Sequence, residues 1–373
     1  MIWILIFSLM ILGMLLAIVY MISRFYKMDY VKRLGGEKRW KKILLAIVPV
    51  VVINLILILC LDTINTIICM LHLFIFWLIC DAVNLLVQKK RSKQSNYYFV
   101  GISAIGICIV YLCVGWYLDN NVWRTDYIIE TEKQVGNLRI IQFADSHVGT
   151  TFDGISFADH VRSMQEENPD IVVVTGDYVD DDSSREDMVN ACKALGTLKT
   201  TYGVYYSFGN HDKGYYGDKY RGYSGDDLIA ELEKNGVKVL QDEVELIDDR
   251  LYLIGRQDRS EESRGAPRAE MKDLMNGLDD GKFSIVLDHQ PHDYDAQTEA
   301  KVDLVLSGHT HGGQLFPFNY VGEWTGENDK TYGLEKRDNT NFIVTSGISD
   351  WAIKFKTGCK SEYVVVDVKS VGE

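Results

Sequence analysis

The chain has 373 residues, 47% hydrophobic and 24% charged, and a net charge of −13 that conceals two opposite parts. Of its 39 Lys+Arg and 52 Asp+Glu, 12 and 4 lie through Leu118, a balance of +8, which leaves 27 and 48, a balance of −21, for the remainder. So acidic a second part excludes a nucleic-acid duplex as habitual partner, because phosphate-backbone binding needs clustered cations. The seven cysteines, none in a Cys-x-x-Cys pair, exclude a disulfide framework and a thiolate metal site. Five of them, at 60, 69, 80, 108 and 113, sit in apolar segments, and pairing of Cys192 with Cys359 stays open.

Four apolar runs open the chain: residues 1–22, Ile43–Leu61, Ile64–Leu86 and Tyr97–Leu118. A bilayer core of about 30 Å takes roughly 20 helical residues, so each is long enough to span. The first run lacks the basic start and small-residue cleavage site of a signal peptide. Eight of the first 12 cations lie between Arg24 and Lys42 and four between Lys89 and Lys93. The positive-inside rule then puts both basic loops in the cytoplasm, and both chain ends and everything after Leu118 on the extracytoplasmic face of a cell membrane. His72, Asp81 and Asn84 interrupt the third run; Asp81 and Asn84 lie near its basic end, within reach of headgroups or Lys89. Tyr97, Tyr98, Trp116 and Tyr117 have the character of interfacial anchors. The stretch 119–137 reads as a juxtamembrane connector.

From Leu138 short apolar runs alternate with helical stretches at Phe157–Glu167, Glu186–Leu198, Asp227–Asn235 and Ala269–Leu278, the pattern of an α/β domain. Five runs end in polar residues. Leu138–Phe143 leads into Asp145-Ser146-His147, Ile171–Val174 into Gly176-Asp177, and Val204–Phe208 into Gly209-Asn210-His211-Asp212. Phe283–Leu287 leads into His289-Gln290-Pro291, and Val302–Leu306 into Gly308-His309-Thr310-His311-Gly312-Gly313-Gln314. In open α/β sheets the loops at the carboxyl ends of strands build the site. Asp, Asn and His without cysteine suit a pair of divalent ions such as Mn, Fe or Zn.

These blocks, Asp145-x-His147, Gly176-Asp177-x-x-Asp180, Gly209-Asn210-His211-Asp212, His289 and Gly308-His309-x-His311, resemble the five signature blocks of the calcineurin-like metallophosphoesterases. The trailing Gly312-Gly313-Gln314 is similar to their membrane-associated bacterial branch. The likeness runs from Leu138 to about Val368 and implies a four-layer α/β/β/α sandwich, here preceded by four transmembrane helices. The expected organisation is therefore a membrane domain at 1–118, the connector at 119–137 and a metallophosphoesterase domain at 138–373. The resemblance further implies one metal held by Asp145, His147, Asp177 and His311, and a second by Asp177, Asn210, His289 and His309, with Asp177 as the bridge. His211 would stand beside the leaving group, oriented by Asp212. A purple acid phosphatase would carry Gly at the position of His147 and Tyr at that of Asp180, and neither occurs here.

Two divalent ions against two anionic ligands leave about +2 to draw a phosphate, and an ion pair roughly 3.5–4 Å apart activates water without a protein nucleophile. His211 paired with Asp212 would protonate the departing alkoxide. The expectation is a membrane-anchored hydrolase of a phosphodiester or phosphomonoester, with envelope or lipid-linked phosphates favoured by proximity. The alternatives are a nuclease or nucleotide pyrophosphatase, and a catalytically idle sensor in which metal only holds the fold. Smaller features read as surface or support: His160 and His292, the run Asp180-Asp181-Asp182 bracing the second block, and the Tyr/Gly loop from Gly214 to Gly225, a candidate for stacking on substrate or touching the bilayer.

Overall fold

A computed structural model describes residues 2–90 and 99–371. Arg91, Lys93, Tyr97 and Tyr98, part of the second basic loop and two of the expected interfacial aromatics, lie outside the described residues. The chain divides into two units, Met1–Gly115 and Trp116–Glu373.

The first unit is helical. The helices Ile2–Phe25, Arg39–Cys60, Thr63–Lys90 and Val100–Asn120 each contain a stretch long and apolar enough to cross a membrane. Asp81 is engaged by residues of the first helix. It accepts a hydrogen bond from the Tyr20 hydroxyl at 2.5 Å and pairs with Arg24 at 2.8 Å, as a charge on an apolar helix requires a nearby counter-charge. His72 turns its Nδ1 back to the Ile68 carbonyl of its own helix at 2.8 Å.

The second unit is built on two six-stranded sheets. Strand β1 (Val122–Thr131), β2 (Asn137–Phe143), β3 (Ile171–Thr175), β4 (Gly203–Ser207) and β5 (Val237–Val239) lie in the first sheet, in the order β1-β12-β2-β3-β4-β5 with β12 at Ser361–Ser370. The second sheet, β10-β11-β9-β8-β7-β6, holds β6 (Glu243–Ile247), β7 (Leu251–Gly255), β8 (Phe283–Leu287), β9 (Leu304–Ser307), β10 (Gly333–Arg337) and β11 (Thr340–Val344). β2 to β5 run parallel, as do β7, β8, β9 and β11, so the ends that carry the polar blocks emerge on one edge of each sheet. The stretch read as a connector is not one: β1 within it pairs in parallel with β12 along ten residues, from Val122–Ser361 to Thr131–Ser370.

Alternation along the strands sorts the core. Leu138 and Ile140, Ile171 and Val173, and Val364 and Val366 meet Leu251, Leu253, Ile285, Leu287, Leu304 and Leu306 in one buried cluster between the sheets. The intervening Ile141, Phe143, Val172 and Val174 face outward onto the helices Phe157–Glu166, Arg185–Leu195 and Gly225–Lys234. Val286 and Val305 do the same with Met271 and Tyr294 on the far side. The layers are thus α/β/β/α. The helical stretch expected at Ala269–Leu278 shortens to Met271–Leu274. Cys192 is buried in the outer core of the first sheet and Cys359 sits beside the His311 carbonyl; both are free thiols.

Candidate metal centre

The loops after β2, β3, β4, β8 and β9 meet where the carboxyl edges of the two sheets adjoin. Gln142 near the end of β2 donates to the carbonyl of Ser307 at the end of β9, at 2.9 Å, and so ties one sheet to the other. Three residues beyond Gln142, both Asp145 carboxylate oxygens accept the His309 backbone N–H at 3.0 Å. The approach is so close that glycine is required at 308, where a Cβ would come within 2.7 Å of the Asp145 carboxylate. Gly176 is in the same position: its φ is 81° and a Cβ would lie 2.6 Å from His289 Nδ1.

Six of the seven expected ligands form two groups, Asp145 with His147 and His311, and Asp177 with His289 and His309, the ligand atoms of each within 4.8 Å of one another. Asp177 lies between them, its Oδ2 3.1 Å from His289 Nε2 and 3.8 Å from His147 Nε2. The seventh, Asn210, donates its amide N–H to the Tyr215 hydroxyl at 2.9 Å, which leaves its Oδ1 buried and without a hydrogen bond. Five of these residues, Asp145, His147, Asp177, His309 and His311, have φ between 36° and 72°. That left-handed backbone is disfavoured for side chains of this size, and a concentration of it marks a site whose surroundings impose the geometry.

Three of the four candidate histidines are oriented through their second nitrogen. His147 Nδ1 faces Asp180 Oδ2 at 3.1 Å, His289 Nδ1 the Thr175 carbonyl at 2.7 Å and His311 Nδ1 the Ser349 carbonyl at 3.3 Å. A carbonyl can only accept, so Nδ1 of His289 and of His311 carries a proton and Nε2 is the nitrogen turned inward. The Nε2 atoms of His147 and His289 are buried and make no hydrogen bond of good geometry. Buried polar atoms are rarely left this way, and three in one cluster, two imidazole nitrogens and an amide oxygen, are a donor set that fits divalent cations. Asp180, which its sequence position suggests as a brace for the second block, thus touches a candidate ligand directly.

The charges of the cluster are interdependent. Burial opposes ionisation of Asp177, but the pull of His289 and His211 outweighs it and holds the carboxyl well below the usual range. His289 is the converse: burial disfavours its charge, yet Asp177 keeps the imidazole well above its ordinary value. Burial, opposed by His289 and reinforced by Asp177, raises Asp145 to about 6. Burial and then His289 press His309 down to about 4, and burial and then His147 lower His311.

The expected pairing of His211 with Asp212 is not formed. One Asp212 oxygen accepts the backbone N–H groups of Tyr178 and Val179 at 2.8 and 3.1 Å, the other those of Asp177 and Gly209 at 2.9 and 2.6 Å. The carboxylate is the common acceptor that holds the Asp177 turn against the Asn210 turn. The His211 ring lies instead 5.1 Å from each of the rings of His147, Tyr215 and Trp351, and burial, with His147 adding to it and Asp177 opposing, lowers its pKa. Asp212→Ala leaves four buried N–H groups without an acceptor and is expected to cost about 3–5 kcal/mol, read as a large fall in the melting temperature of the full chain in detergent. A variant that melts like the parent while losing rate alone would restore the pairing role.

Asp181 accepts the backbone N–H groups of Tyr215 and Tyr216, at 2.9–3.0 Å, and so anchors the Tyr/Gly loop at the site's edge. His292 has its Nε2 3.8 Å from an Asp293 carboxylate oxygen and belongs to neither ligand group. Trp351 and the carbonyls of Thr175 and Ser349 carried no signal in the sequence. They lie outside any spacing pattern, and the carbonyls are chemistry that every residue shares.

Comparison with known proteins adds to this geometry. The family model described as calcineurin-like phosphoesterase matches residues 138–313. An uncharacterized metallophosphoesterase of Helicobacter pylori is 30% identical over 269 residues, covering 68% of this chain and 69% of that one. An uncharacterized metallophosphoesterase of Campylobacter jejuni is 27% identical over 309 residues, 80% of this chain and 78% of the other. A Danio rerio protein named transmembrane protein with metallophosphoesterase domain is 30% identical over 65% of this chain and 56% of its own length.

Proposed function

As a member of the calcineurin-like metallophosphoesterase family, this chain is, we propose, a membrane-anchored phosphoester hydrolase. Its substrate would be a phosphodiester or phosphomonoester, of an envelope or lipid-linked kind, on the extracytoplasmic face. The observation that carries the reading is the pair of ligand groups on either side of Asp177, each gathered within 4.8 Å.

Asp145, His147, Asp177 and His311 would hold one divalent ion, and Asp177, Asn210, His289 and His309 the other. When bound, such a pair supplies Lewis acidity toward water and positive charge toward the phosphate. Asp180 and the carbonyls of Thr175 and Ser349 keep three imidazoles aimed inward. Asp212 fixes the turns that carry Asp177 and Asn210. His211, its backbone N–H tied to Asp177 Oδ1 at 2.8 Å, has its ring free to donate a hydrogen bond to the phosphate oxygen that departs.

The test is hydrolysis by the purified full chain of bis-p-nitrophenyl phosphate, p-nitrophenyl phosphate and a lipid phosphate, with Mn, Fe, Zn, Co or Mg supplied singly. Turnover that depends on metal and stops on chelation is expected. Metal binding without turnover on any of the three would replace the hydrolase by an idle, metal-stabilised sensor. An active alkaline phosphatase fused at the C-terminus is the expected result for an extracytoplasmic domain, and a fusion active only as a cytoplasmic reporter reverses the side.

A further inference from the structure

The segment that follows His311 leaves the site as an exposed aromatic run. Phe316, Phe318, Tyr320 and Trp324 are 50–71% exposed, and Trp351, whose ring lies 5.1 Å from that of His211, is 49% exposed. Aromatic side chains offer about 150–250 Å² each, so four of them half or more uncovered and Trp351 nearly so expose roughly 500 Å² together, at the upper end of what a monomer tolerates in water.

The segment is held in place. Gln314 donates its side-chain amide to the Ile353 carbonyl at 2.6 Å, the Thr357 backbone N–H bonds the Gln314 carbonyl at 2.8 Å, and the Phe316 backbone N–H bonds the Thr357 hydroxyl at 3.1 Å. Further along, the Asp329 backbone N–H bonds the carbonyl of Pro291, two residues after His289, at 2.9 Å. The aromatic run is therefore fixed between the loop that bears Trp351 and the loop that bears His289, beside the ligand groups. Over residues 314–325 the sequence has a single charged side chain, Glu323, and it is turned inward to accept the Thr331 backbone N–H at 2.6 Å. An exposed stretch without an outward charge, rich in Trp, Tyr and Phe and not in aliphatic residues, has the composition of a membrane–water interface.

The covalent chain supplies the occupant. The last apolar helix ends at Asn120 and β1 begins at Val122, so the folded unit starts within two residues of a segment apolar enough to span a bilayer. We propose that Phe316, Phe318, Tyr320, Trp324 and Trp351 form a bilayer-docking rim that presents the two ligand groups to phosphate esters standing in the headgroup layer. The substrate class is then the phosphate of a membrane lipid or lipid-linked molecule, not a soluble ester. This substrate assignment rests on the hydrolase reading above; the docking does not.

Docking is read without turnover. The full chain is reconstituted in phosphatidylcholine vesicles with or without brominated acyl chains, and the Trp324 emission is taken as the difference between the parent and Trp324→Phe. Quenching of that component by the brominated lipid is expected. Quenching by aqueous acrylamide in its place, or protection from both by a second copy of the chain, overturns the rim. The substrate arm compares phosphatidic acid in vesicles with p-nitrophenyl phosphate for a variant carrying Phe316→Ser, Phe318→Ser and Trp324→Ser. A fall of about tenfold or more on vesicles, with the soluble ester unaffected, is expected from the loss of interfacial contact. An equal fall on both substrates overturns the assignment, whereas a parent chain inactive on both while Trp324 is quenched by lipid sinks the hydrolase and leaves the docking rim standing.

Discussion

Asp177→Asn is expected to remove both metal positions together and with them turnover. The side chain lies 3.1 Å from one histidine of the second group and 3.8 Å from one of the first, and its other oxygen accepts the His211 backbone N–H at 2.8 Å. An amide of the same shape retains one acceptor oxygen, replaces the other by a donor and removes the negative charge that both groups would share. Loss of an outer-shell partner typically costs about 10–100-fold in affinity or activity, and loss of a shared anionic ligand should exceed that. Metal analysis of the purified variant is the direct readout: near-stoichiometric loss of both ions is expected, while retention of one ion would assign Asp177 to a single position. The fold should survive, since Asp212 holds the turn through backbone atoms that the substitution leaves unchanged.

His211→Ala should do the opposite, keeping the metal and losing rate by about 10²–10³-fold, the usual worth of a hydrogen-bond donor aimed at developing charge. The ring is absent from both ligand groups, and its neighbours are the rings of His147, Tyr215 and Trp351, each 5.1 Å away. Because the residue is joined to Asp177 through its backbone N–H, truncation leaves that bond intact. The variant should therefore bind metal like the parent and melt close to it, in contrast to Asp212→Ala. Metal loss in the His211 variant would move this histidine from the substrate side to the ligand side.

These two variants separate roles that adjacent positions in one Gly-Asn-His-Asp block would otherwise merge. Sequence proximity suggested that Asp212 serves His211. The carboxylate is instead used up by four backbone N–H groups, three of them 33 to 35 positions upstream. Backbone donors are identical at every residue, so no motif announces that kind of partner. Asp180 illustrates the same limit from the other side: within a run of three aspartates it looks solvated, and only the return of the β2 loop brings His147 Nδ1 to 3.1 Å.

What the chain order alone determined was the set of apolar runs and the chemistry at their ends. β2, β3, β8 and β9 are covered on both faces, by the other sheet and by helices, and so they read as short runs dominated by apolar residues, interrupted in β2 by Arg139 and Gln142. Asp145, Asp177, Asn210, His289, His309 and His311 follow directly because carboxyl-end loops must leave a parallel sheet on one edge. The four long apolar helices were legible for a similar reason, a hydrocarbon core accepting no other composition. Tertiary structure alone decided the rest. β1 and β10 sit at sheet edges, half in water, with polar and apolar residues mixed, and only pairing with β12 and β11 makes them strands. It likewise decided that Arg24 neutralises Asp81, that Cys192 and Cys359 lie apart as free thiols, and that Trp351 from the far end of the chain stands over His211. Each of these is a spatial relation between residues distant in sequence, fixed by how two sheets or two helices pack, and packing partners leave no periodic mark on the chain that carries them.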